Sequence, residues 1–241
     1  MDDVVLLERR DAVLVVTLHR PEVHNVLDQP LTDALVDAFA ELDADESLRA
    51  GVLTGSPTMF CAGLDLKHFA AHGMPRGLED PLLRRGSRKP LVAAIEGIAF
   101  GGGLELALVA DIRVAATNAR FAQAETRYGL FPSGGGLLRL PASLVREMVL
   151  TAQPVDAERA LRHGLVDHLV EPGATLAAAL DLAGAIAANP PAGVQAAKRI
   201  LDARGELTED GVWALQTELS REVFASEDAK AAVDAFVNRS R

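Results

Sequence analysis

The spacing of apolar positions changes along the chain, and each change predicts an element. Ala12–His19 is rich in β-branched residues and pairs with Val4–Glu8 across the charged turn Arg9–Asp11, which predicts two short strands. Arg20–Asn25, with Pro21, reads as a polar loop. From Pro30 to Leu42 the apolar residues fall at Leu31, Leu35, Ala38, Phe39 and Leu42, the three-and-four spacing of one helix face. Ala50–Thr54, Leu91–Ile95 and Asp111–Ala115 are strand-sized runs, and the first two are apolar enough for buried strands. Between Leu91–Ile95 and Asp111–Ala115 lie a glycine-rich loop at 101–103 and the helical LELALVA. A second glycine cluster, Gly134–Gly136, precedes LLRLPASLV; Asp156–Gly164 reads as a short helix with a C-cap glycine, and Leu165–Val170 as a strand.

After Pro172 the period is helical throughout: Ala174–Ala188, a break at Asn189–Pro190–Pro191, then Val194–Leu201, Thr208–Phe224 and Glu227–Val237. The alternation of β and α predicts an α/β fold with parallel strands and helical crossovers. Residues 1–188 form the core in this reading, and residues 189–241 a helical C-terminal region suited to oligomerisation.

Composition narrows the picture. Hydrophobic residues make up 49% of the 241 residues, but aromatics only 4%, so the core is built from Ala, Val and Leu. A net charge of −10 argues against a nucleic-acid partner, whose phosphates need a basic face, yet a few local cations suffice for a phosphate-bearing ligand. The single cysteine, Cys61, rules out an internal disulfide and suits a reducing compartment. The N-terminus has acidic residues where a signal peptide is basic, and Glu96, Glu105 and Asp111 interrupt the most apolar segment, so a cytoplasmic protein without a membrane span is expected.

Three segments can carry chemistry. In GIAFGGGLELA a strand runs through glycines into a helix, where unpaired amides and the helix dipole favour an anion, with Glu105 inside the first turn. It is neither a phosphate loop nor a dinucleotide fingerprint, and tight packing alone would also explain the glycines. In MFCAGLDLKHF a strand, a glycine turn and a helix place the Leu64 amide at another helix start. Two such amides converging would make an oxyanion hole. Cys61 reads as a buried thiol, and Lys67, taken alone, as a solvated helix charge. In FAQAETRYGLFPSGGG, Glu125 stands between a strand-like run and a glycine-rich loop. Two carboxylates around one carbon can hold a water and exchange protons with it; taken singly, each glutamate reads as an ordinary surface residue.

Taken in order, LHRPEVHNVLD, FCAGLDLK, RKPLVAAIEGIAFGGGLELALVADIRVA, FAQAETRYGLFPSGGGLLRLP, ALRHGLVDHLV and NPPAGVQAAKRIL resemble the crotonase (enoyl-CoA hydratase/isomerase) superfamily over nearly the whole chain. The resemblance implies a spiral of β-β-α units with helices that build trimers or dimers of trimers. It implies an acyl-CoA thioester substrate, no separate cofactor, and hydration of a 2-enoyl-CoA through a stabilised enolate. It places oxyanion-hole amides at Leu64 and Gly102 and the catalytic pair at Glu105 and Glu125, Glu105 leaning toward base and Glu125 toward Cα acid. Lys67 falls near the CoA phosphates and Arg20 and Val23 line the adenine pocket, while Ala62, Asp65, Gly101 and Tyr128 complete the substrate-binding set.

Departures from the family pattern also carry expectations. Ala124 replaces the usual proline before the second glutamate, and Thr126, Arg127 and Tyr128 are more polar than usual and are expected beside the acyl pocket. The stretch from Asp65 to Lys89 is short, and only Arg239 and Arg241 remain for a C-terminal CoA contact. The other readings are a different reaction of the same superfamily (isomerisation, a specialised dehydration, thioester hydrolysis) or a non-catalytic acyl-CoA-binding protein. No metal is expected, since the six histidines are scattered and His68 and His72 lack a third ligand.

Overall fold

A computed structural model describes residues 3–239, with the Arg239 side chain and Arg241 outside the described set. Two sheets carry the fold. The larger has strand order β1-β2-β3-β4-β6-β9, formed by Val5–Arg10, Val13–Leu18, Ala50–Thr54, Leu91–Ile95, Ile112–Ala116 and His168–Val170. The smaller joins β5 (Ile98–Phe100), β7 (Arg120–Ala122) and β8 (Val155–Asp156). In the larger sheet only the β1–β2 hairpin is antiparallel; its turn carries Asp11 with φ 53.

Alternation within the strands divides the core. Leu14, Val16, Leu18, Leu53, Ala93 and Ile95 face one side, packed with Leu31, Leu35, Phe39 and Leu42 of α1 (Gln29–Ala44). Val13, Val15, Ala50, Val52, Val92 and Ala94 face the other, covered by α7 (Thr175–Ala187). Helix α7 presents Ala179, Ala183 and Ala187 at four-residue spacing, so its backbone lies close to the sheet. That is why an Ala-rich segment forms a firm cover here. Asp28 caps α1 by accepting from the Leu31 N–H at 3.0 Å, the kind of bond that satisfies an otherwise orphaned helix amide.

The remaining elements are α2 (Leu66–His72), α3 (Gly102–Ala107), α4 (Gly136–Arg139), α5 (Val145–Thr151), α6 (Ala157–Arg162), α8 (Pro191–Ala203), α9 (Glu209–Ala225) and α10 (Glu227–Arg239). The structure departs from the sequence reading in several places. Helix α3 starts at Gly102, inside the expected glycine loop, and ends at Ala107. The strand expected from Leu165 begins only at His168, because the Leu165 N–H still donates to the Ala160 carbonyl at the end of α6. The segment before Gly63 is no strand; Cys61 meets Ala99 in a single bridge. Strands β5 and β8 are too short to stand out as periodic runs. The short 65–89 stretch forms α2 and a π-helical turn, Leu78–Leu83, that buries Leu78, Leu82 and Leu83.

Lys198 of α8 fastens the C-terminal helices to the core through Asp111, 2.7 Å away, while the other Asp111 oxygen accepts from the Leu91 N–H at 2.8 Å. No helix among the described residues is long and apolar enough to cross a membrane.

Candidate active site

Parallel pairing of β5 with β7 brings the two chemical segments together. Phe100 lies opposite Ala122, and the Gly101 N–H donates to the Ala122 carbonyl at 2.8 Å. The chain beyond β5 therefore leads into α3 and Glu105 beside the chain beyond β7, which leads to Glu125 on a 3-10 turn, Glu125–Tyr128. Gly101 and Gly63 are required at this junction. Their φ values are +53° and +109°, and a Cβ on Gly101 would lie 3.2 Å from Glu125 Oε1.

The amides of Leu64 and Gly102 stand close together. A Cβ on Gly102 would sit 3.7 Å from the Leu64 nitrogen, and one on Gly63 3.5 Å from the Gly102 nitrogen. Neither amide donates to another group among the described residues, whereas the flanking Leu27, Asp65, Leu104 and Glu105 amides all do. The Leu64 side is set by the Leu27 bridge, in which Leu27 donates to Gly63 and Asp65 donates to Leu27.

Glu105 is buried, with 4% of its surface exposed. Its Oε1 accepts from the Gly136 N–H at 2.9 Å. Burial pushes its carboxyl up to about 7; the Gly136 and Gly134 amides oppose the shift, and the nearby charges of Glu125 and Glu79 add to it. Glu125 is raised too, chiefly by burial, with its own backbone N–H opposing.

Gln123, fully buried, holds Glu125. With its amide nitrogen turned toward Glu125 it donates to Oε1 and Oε2 at 2.9 and 3.0 Å. A Cβ on Gly136 would touch both the Gln123 amide, at 2.5 Å, and Glu105 Oε1, at 3.1 Å. Sequence reasoning missed Gln123. The available signal was a polar residue closing a buried strand two positions before a candidate carboxylate.

The other expected positions are less uniform. Arg20 is committed to the loop itself: its guanidinium pairs with Asp28 at 2.8 Å and donates to the Val26 carbonyl at 2.8 Å. Val23 is exposed on the neighbouring 3-10 turn, and the Ala62 N–H donates to the His24 carbonyl. Asp65 caps α2, accepting from the Lys67 and His68 amides, while the Lys67 ammonium is exposed with no protein partner among the described residues. Thr126 and Arg127 have their polar groups engaged by the protein itself. They donate to the Val149 and Ala152 carbonyls and so fasten the 3-10 turn to the α5 segment. Tyr128 is 64% exposed.

Cys61 is an inert thiol, pushed up to about 12 by burial, its Sγ 3.0 Å from the Asn25 carbonyl. His68 and His72 touch ring to ring, with centroids 4.9 Å apart, and no three metal-binding side chains cluster among the described residues. A cavity of about 1670 Å³ separates α8 and α9 from Glu79–Arg88; its lining reaches Gly134 and Arg139 but includes neither catalytic candidate.

Residues 8–241 match the family described as Enoyl-CoA hydratase/isomerase. The chain is 38% identical over 250 residues to Enoyl-CoA hydratase EchA19 of Mycobacterium tuberculosis, covering 97% of this chain and 93% of that protein. It is 33% identical to the Short-chain-enoyl-CoA hydratase of Clostridium acetobutylicum, covering 98% and 95%. The crystal structure of enoyl-CoA hydratase EchA1 from Mycobacterium marinum superposes with a TM-score of 0.94 at 42% identity, over 99% of this chain and 97% of that one.

Proposed function

The chain belongs to the enoyl-CoA hydratase/isomerase family, and from that premise we propose that it adds water across the 2,3 double bond of a 2-enoyl-CoA. The observation that carries this reading is the meeting of a buried carboxylate, Glu105, and a half-buried one, Glu125, with two undonated amides. Water sits between Glu105 and Glu125. Ionised Glu105 takes one proton from it as the oxygen bonds to Cβ. The electrons of the double bond move toward the thioester carbonyl, whose oxygen takes up the charge against the Leu64 and Gly102 amides. Glu125 gives its proton to Cα, and the product is a 3-hydroxyacyl-CoA.

The Glu125 charge beside buried Glu105 disfavours a second charge there, and hydration needs the pair to hold one proton between them. Arg20, Val23, Ala62, Asp65, Gly101, Lys67 and Tyr128 are the positions assigned to CoA and acyl contacts. For Arg20 and Asp65 the role is to shape the loops, since their charged groups are already engaged. Lys67 remains available for a phosphate. With Thr126 and Arg127 turned to the α5 segment, the ground for a specialised polar substrate falls away. A homotrimer or a dimer of trimers in the cytoplasm belongs to the same proposal, and exposed Trp213, Phe224 and Val233 on α9 and α10 offer an apolar face for subunit contacts.

Crotonyl-CoA tests the reading. The purified protein is expected to abolish the conjugated-enoyl absorbance and yield 3-hydroxybutyryl-CoA. Tight thioester binding with no loss of absorbance would contradict it.

A further inference from the structure

The loop that holds Glu105 has little to hold itself. Gly134, Gly135 and Gly136 carry no side chains, and α4 is a single turn. Yet the Gly136 N–H must stay 2.9 Å from Glu105 Oε1. Arg139 supplies what the loop lacks. Its guanidinium donates to the Leu83 carbonyl and, at 2.7 Å, to the Arg84 carbonyl, across the end of the π-helical turn. It lies over Gly135, so close that a Cβ there would come within 3.2 Å of Nη1, and its own N–H donates to the Gly135 carbonyl at 3.0 Å. The Leu83 side chain closes the contact from the other side: a Cβ on Gly134 would meet Leu83 Cδ1 at 2.3 Å and Glu105 Oε2 at 2.7 Å.

Arg139 makes no ion pair with a carboxylate among the described residues. Its planar fork is spent on two successive carbonyls, a task a point-like ammonium cannot copy. We infer that Arg139 is a positioning residue for the reaction: it clamps the Gly134–Gly136 loop to the Leu83–Arg84 backbone and so keeps the Gly136 N–H on Glu105. The inference rests on the reading of Glu105 as catalytic base.

The charges facing Glu105 are Glu125 from the 3-10 turn, Glu79 from the π-helical turn and Arg139 itself. The first two, with burial, raise its carboxyl; the glycine amides lower it. Loosening those amides therefore leaves Glu105 protonated to higher pH.

Arg139→Lys keeps the charge and breaks the fork; Arg139→Gln removes both. In each, kcat on crotonyl-CoA is expected to fall about tenfold or more with KM little changed, within the roughly 10²-fold that misplacing a catalytic group costs. The carboxyl ¹³C titration of Glu105, assigned with Glu105→Gln, is expected to move to higher pH. That titration needs no turnover, so it separates failure of the clamp from failure of the hydratase reading. If the Gln variant does not fold, the Lys variant decides. Either kcat or the Glu105 titration staying at its wild-type value in Arg139→Lys overturns the inference.

Discussion

Glu105 and Glu125 carry the same carboxyl group, but the chain holds them in different ways. Glu105 stands on a helix, is nearly sealed from solvent, and is held by backbone amides of a distant glycine loop. Glu125 stands on a short 3-10 turn, is less deeply buried, and is held by a side chain, Gln123. Backbone donors on a clamped loop make a stiff seat. A side-chain amide makes one that can follow the carboxylate as its proton leaves. The pairing suits a carboxylate that takes a proton from water and another that gives one to carbon, and it teaches that two like groups gain separate tasks from their supports rather than from their own chemistry.

Removing either acid has the largest expected effect. Glu105→Gln and Glu125→Gln are each expected to lower hydration by about 10³-fold, within the range for a lost general acid or base, while calorimetry finds thioester affinity nearly unchanged. Near-wild-type turnover in either variant would end the two-carboxylate account. Next comes the anion site that both acids serve. Gly102→Pro deletes one amide donor at a first-turn position where proline fits the helix, with a Cβ contact of 3.2 Å to the tip of Leu27. A loss of about 10²-fold is expected, and a wild-type rate would remove Gly102 from the oxyanion hole.

Acidity sharpens the comparison further. As base, Glu105 must be ionised, so kcat/KM is expected to rise with pH through about 7. Stability runs the other way. The folded carboxyl is raised from 4.5 to about 7, so its favourable contribution is full below 4.5 and is lost as pH climbs through 7. Glu105→Gln escapes that loss, and above pH 7 it is expected to melt higher than wild type. A lower melting point there would contradict the burial that sets the Glu105 carboxyl. The smallest effect belongs to the other seat. Gln123→Leu is expected to reduce kcat by about tenfold and to move the alkaline limb of activity upward, because Glu125 loses donors that favour its ionised form. An unmoved limb would mean that Gln123 only fills space.

Much of this was legible from the chain. The β-branched run of β2, the helical spacing of α1 and the four C-terminal helices were all readable from their apolar periods; β2, α1 and α7 bury that face, whereas α9 and α10 leave most of theirs exposed. The ordered motifs placed Glu105, Glu125 and both glycine turns. What escaped was the support. Glu79 and Arg139 meet their neighbours across segments tens of residues apart, and no local period marks such a contact; Gln123 stands two residues from Glu125, but only the fold buries it there. The engagement of Thr126 and Arg127 was hidden for the same reason. Their place beside Glu125 in sequence gives no sign that a single 3-10 turn ties their polar groups to the carbonyls of Val149 and Ala152. Strands β5 and β8 were too short to show a period, yet β5 pairing with β7 is what brings the site together.

Glu105 and Glu125 are expected to add water together to an enoyl thioester. Incubating crotonyl-CoA in ¹⁸O-labelled water and weighing the product tests it most directly. The account predicts 3-hydroxybutyryl-CoA carrying one labelled oxygen from the wild type, and almost none in the same time from Glu105→Gln or Glu125→Gln. Bound but unchanged crotonyl-CoA with the wild type, or labelled product formed at the wild-type rate by either variant, would contradict it.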